Sequence, residues 1–210
     1  MTSTDTQTLR DDVAFLRNLV QGGAAWTGGF VEGYFAAGLI YGVQMLLHAG
    51  QALGVVSTAG LLPLLVGIGP TLVFLPVIVW INWRHRRSGP IAPAGRAVTA
   101  VFATVGLANC ALVAVIGSVA WREHSLTTWL IYPCTVFILQ GAAWFVAYAI
   151  RRKGWFALVA GAWFVFAIAM AFNVTAIGYY ILYAGVGIWA CMALPGWVMM
   201  RSAPRAAVDA

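Results

Sequence analysis

The chain has 210 residues, of which 62% are hydrophobic and 9% are charged. Soluble domains carry about 25% charged residues, and a soluble core of this size could not hide so much apolar surface, so much of it must face lipid. The net charge of +6 does not point to nucleic acid, because the basic residues stand in short clusters between apolar runs, the pattern of loops held on the cytoplasmic side of a membrane.

Before the first apolar run lies TLRDDVAFLRNLV, residues 8–20. Thr8 with Asp11 has the form of a capping box. At 100° per residue, Leu9, Val13, Leu16 and Val20 make one stripe, and Arg10, Arg17, Asn18 and Asp11 face away from it, with Asp12 the exception. The pattern predicts an amphipathic helix on the inner membrane surface, or alternatively a soluble cap on the cytoplasmic loops. Asp5, Asp11 and Asp12 stand where a secretory signal carries basic residues, so the first apolar run is expected to insert and stay.

Six spans follow, at about 24–47, 58–82, 97–120, 127–150, 154–173 and 176–200, each long enough to cross about 30 Å of hydrocarbon. They form one transmembrane domain, residues 23–200, between an N-terminal segment 1–22 and a tail 201–210. The first span holds Glu32, about 10 Å inside its start at 1.5 Å per residue. A carboxyl there needs partners, and the expectation is a hydrogen-bonded cluster with Asn109 of the third span and Gln140 of the fourth, with Gln44 further along the same helix. Such a cluster would be either a polar clasp fixing helix register or a functional site. A cavity reaching Glu32 would favour transport, and a dry interior the clasp.

Small residues surround Glu32. Ala25, Gly29, Gly33 and Ala37 are spaced by four, and Gly38 and Gly42 repeat the spacing, which lets another helix, internal or from a second chain, approach closely. His48, near the outer end of the span, could serve as an axial ligand to a haem or chlorin. Its interfacial position favours a histidine that meets water.

The second span contains Pro63, Pro70 and Pro76. Proline removes a backbone donor and clashes with the preceding turn, so a kinked or interrupted helix is expected. Broken helices can build ion sites, but with no charge within this span the structural reading is the more economical. The WRHRR loop that follows brings Arg84, His85, Arg86 and Arg87 together. With Arg151, Arg152 and Lys153 of the fourth loop these arginines could grip anionic headgroups, although such clusters commonly only enforce topology. GAAWFVAYAI at 141–150 is similar to GAWFVFAIAM at 161–170, which a limited membrane alphabet explains without duplication. From Gly154 to Met200 there is no charge, and the run divides at Asn173-Val174-Thr175, its most polar point. Cys110, Cys134 and Cys191 each fall within an apolar run, giving neither a disulfide framework nor a CxxC zinc spacing; they read as small apolar fillers.

Six spans put eleven of the twelve basic residues on one side and only Arg122 on the other. The positive-inside rule then places both termini in the cytoplasm, as expected of a multi-pass protein of a bacterial inner membrane. The only lysine, Lys153, lies in a loop, which excludes a retinal Schiff base within the bundle. No H-E-x-x-H, G-x-S-x-G or P-loop pattern is present, and no metal set or cofactor is expected. The fold expected is an all-α membrane bundle of six helices with an N-terminal surface helix. The function expected is a non-catalytic accessory or scaffold subunit that binds other membrane proteins, itself or lipid. A small channel or transporter around Glu32, Asn109 and Gln140 is the alternative, and an intramembrane lipid-modifying enzyme a distant third.

Overall fold

The computed structural model describes residues 28–86 and 93–202. Six helices account for nearly all of them: α1 Gly28–Ala52, α2 Leu62–His85, α3 Pro93–Glu123, α4 Leu126–Arg151, α5 Gly154–Phe172 and α6 Ile177–Ser202. Each is long and apolar enough to cross a bilayer, with windows of mean hydropathy between 1.4 and 2.4. The stretch 8–20, expected to be an amphipathic helix, lies outside the described residues, as does Arg87.

The helix ends follow local chemistry. Ser125 opens α4 by accepting from the Thr128 amide at 3.2 Å, and the Thr128 hydroxyl donates to Glu123 Oε2 at 2.8 Å. Arg152, at φ 55°, closes α4 with its N–H on the Tyr148 carbonyl. Asn173 ends α5, and its side-chain amide donates back to the Ala169 carbonyl at 2.8 Å.

The prolines do less damage than their chemistry alone suggests. α2 is unbroken from Leu62 to His85, which corrects the expectation of an interruption. Pro63 sits in its first turn, where a missing N–H costs nothing. In α6, Pro195 follows a π-helical turn over Trp189–Ala193, in which the Leu194 N–H reaches back to the Trp189 carbonyl.

Consecutive helices pack together at every step but one, and α1 closes on α6. α2 packs on α1, α1 on α6, α6 on α5, α5 on α4 and α4 on α3, whereas α2 and α3 scarcely meet. The result is an incomplete ring with a seam between α2 and α3. Its interior is largely aromatic: Trp144, Trp163, Tyr180 and Phe156 are fully buried, with Met170 beside them. Only 11% of the apolar window of α2 and of α3 is buried, against 39% for α1, so α2 and α3 are the peripheral members. Their outer faces, including Leu65, Leu72, Val79, Leu107 and Val115, are exposed, as lipid-facing side chains must be.

Candidate functional site: a groove at the seam

The glycines of α1 divide by direction. A Cβ at Gly29 would meet the His85 side chain at 3.3 Å, and one at Gly33 would meet Ile78 at 2.9 Å, so these two admit α2. A Cβ at Gly38 would lie 2.4 Å from the Ala193 nitrogen, and one at Gly42 would lie 2.6 Å from Trp189, so these admit α6. Ala37 is buried. The small-residue stripe is used within the chain.

Bringing α2 against Gly29 sets the partners of Glu32. Its Oε2 lies 3.3 Å from His85 Nε2 and 3.8 Å from an Arg84 terminal nitrogen. His85 is the last residue of α2, half-buried, rather than part of a loop. Arg84 also lies over the Trp80 ring at 5.5 Å, which holds it at the membrane surface.

The expected cluster of Glu32 with Asn109 and Gln140 is not formed. α3 begins at Pro93, so Asn109 lies about 24 Å from that end, and Gln140 about 17 Å from the end of α4, while Glu32 lies only about 6 Å from the start of α1. The three residues occupy different depths. Asn109 Oδ1 and Gln140 Oε1 are each buried without a hydrogen-bond partner.

Gln44 instead donates to the Gly67 carbonyl of α2 at 3.0 Å. Two other side chains act alike. Tyr180 donates to the Leu130 carbonyl at 2.6 Å, and Tyr34 to the Cys191 carbonyl at 3.4 Å. Gly67, Leu130 and Cys191 lie in the turns immediately before Pro70, Pro133 and Pro195, where the missing N–H and the bulk of the ring loosen the helical bonding. Neighbouring helices re-satisfy the backbone there, as a bilayer demands. Trp144 Nε1 completes the Tyr34 group by donating to its hydroxyl at 2.7 Å.

Between α2 and α3 lies a groove of about 840 Å³, floored by α1 at Gly29, Gly33 and Tyr34. Phe74 and Ile78 of α2 face Phe102, Ala103 and Gly106 of α3 across it. Asn82, His85 and Thr99 stand at the end nearest Glu32, and Gln140 and Met192 close the deep end. The volume falls in the range of small-molecule sites. The lining is mostly apolar, with its polar groups gathered at one end, a distribution that suits an amphiphile.

The remaining candidates lie apart from it. His48 Nδ1 is 3.2 Å from Gln51 Oε1 at the far end of α1. Arg86 and Arg152 are exposed, Lys153 precedes α5, and Arg151 is half-buried. Among the described residues, no three His, Cys, Asp or Glu side chains come together to hold a metal ion. Sequence reasoning offered Arg84 as a headgroup candidate and placed His85 in the same loop, and it passed over Tyr34, Asn82 and Thr99.

These features define the class: a polytopic α-helical membrane protein with a lateral groove. Comparison with protein-family models, curated proteins and solved structures finds no match.

Proposed function

We propose that the chain is a non-catalytic integral membrane protein, an accessory or scaffold subunit that binds a second component of the bilayer, lipid or protein, at the seam between α2 and α3. The observation that carries this reading is the groove. It is apolar, it lies between two helices that scarcely touch, and both have exposed outer faces. The basic residues clustered at the end that holds Glu32 support a cytoplasmic placement of that end and of both termini, in a bacterial inner membrane.

Native mass spectrometry of the protein, extracted gently from its own membranes, tests the reading. A defined heteromeric mass, or a mass carrying lipid, is expected. A bare homo-oligomer sinks it.

One observation favours transport as the second reading: the groove reaches His85, the partner of Glu32. On that reading Glu32→Gln alters ion flux or its pH dependence in proteoliposomes. Flux that is unchanged between about pH 5 and 8 removes it.

A further inference from the structure

The geometry points to an anionic phospholipid as the occupant of the groove, with one acyl chain between α2 and α3 and the phosphate at Arg84 and Arg96. The inference rests on the binding reading above and gives it a ligand class.

Depth comes first. From His85 to Phe74 the groove follows α2 for eleven residues, about 17 Å at 1.5 Å per residue. Half of a hydrocarbon core is about 15 Å. The groove therefore spans one leaflet, from the surface at His85 towards the bilayer centre. A chain entering sideways through the seam need not leave its own leaflet.

The walls fit an acyl chain. Phe74, Ile78, Phe102 and Ala103 are apolar, and a Cβ at Gly106 would meet nothing within 4 Å. At the deep end the Tyr34 hydroxyl is engaged by Trp144 and the Cys191 carbonyl, and Gln140 Oε1 is buried by the surrounding protein. An occupant finds no open side-chain acceptor from Gln140 at that end.

Charge sets the headgroup. Arg96 stands one turn nearer the helix end than Thr99, on the same face of α3, and is exposed. Arg84 and Arg86, at the end of α2, are exposed as well. Arg84 is held by Glu32 only at 3.8 Å, and its side chain remains 57% exposed, so it can turn to a phosphate. Among the described residues, the helix ends at this mouth carry Arg84 and Arg96 against the one carboxylate of Glu32. A zwitterionic headgroup gains less from that surplus than an anionic one.

The test uses the full chain reconstituted into vesicles of equal phosphatidylglycerol and phosphatidylcholine, then released for native mass spectrometry. Phosphatidylglycerol retained in preference to phosphatidylcholine is expected, and Arg84→Gln and Arg96→Gln should each reduce that preference about fivefold. Ala103→Trp, which fills the groove, should abolish retention of both lipids. Gly106→Leu serves if Ala103→Trp does not fold.

Folded groove-filling variants that retain lipid like the wild type would overturn both this inference and the binding reading. Loss of lipid in those variants, with no headgroup preference in the wild type, would overturn the anionic assignment alone. A protein partner captured from native membranes and released by Ala103→Trp would overturn the lipid occupant and leave the binding reading standing.

Discussion

At the scale of the residue, Tyr34 joins three helices. It takes the Trp144 indole of α4 and gives its own hydrogen to α6, all within the buried interior. Tyr34→Phe strands a buried donor on one side and a buried carbonyl on the other, so it should cost about 1–3 kcal/mol. Thermal unfolding in detergent checks this, and Trp144→Phe should add little to the double variant because the same bond is already lost. Gly38 is sharper. With backbone atoms 2.4 Å from where its Cβ would be, Gly38→Ala should cost at least about 1–3 kcal/mol, whereas Gly106→Ala, open on its far side, should be nearly neutral in the same assay. Glu32 shows why partners were harder to read than positions. The sequence marks a carboxyl in a span, but its partners depend on which helix Gly29 and Gly33 admit and on where α2 ends. Arg84 and His85 looked like loop residues because a basic cluster after an apolar run ordinarily belongs outside the membrane. The α2 helix carries through them, and the ion pair forms at the surface end.

At the scale of the element, the informative helices are those with prolines. Each of α2, α4 and α6 keeps its continuity past an internal proline, and each has a side chain from another helix on a carbonyl one turn earlier. Such pairs could have been sought in the sequence: a polar residue in one span at the depth of a proline in its neighbour. Gln44 had been grouped with Glu32 on chemistry alone, yet its depth matches Gly67. Gln44→Leu should cost about 1 kcal/mol and loosen α2 locally, seen as faster amide hydrogen exchange around residues 66–71 with little change elsewhere. An equal slowdown or no change would show that the Gly67 carbonyl is held by α2 itself. The six elements were legible for a simple reason: a bilayer requires each crossing to be a long apolar helix, so every span carries its own signal. The break at Asn173 was legible because the uncharged run from Gly154 to Met200 is too long for one crossing and Asn173-Val174-Thr175 is its most polar point.

At the scale of the molecule, the order in which helices associate was not legible, since low charge and uniform hydropathy leave the faces of each helix much alike. The orientation proposed above, with both termini in the cytoplasm, is testable at this scale. A C-terminal fluorescent-protein fusion should fluoresce, and a fusion of alkaline phosphatase at the same place should be inactive; the reverse pair would invert the topology. The association order has a further consequence for synthesis. α1 is made first, yet its most extensive neighbour is α6, made last. Until α6 emerges, the α1–α2 hairpin and the α3–α4–α5 unit are joined mainly by the few aromatic contacts of Phe30 and Tyr34 with Phe102 and Trp144. Assembly is thus committed only once α6 has been made. A chain stopped at residue 173 should insert five helices and leave the hairpin open to protease, and α6 supplied as a separate polypeptide should restore protection.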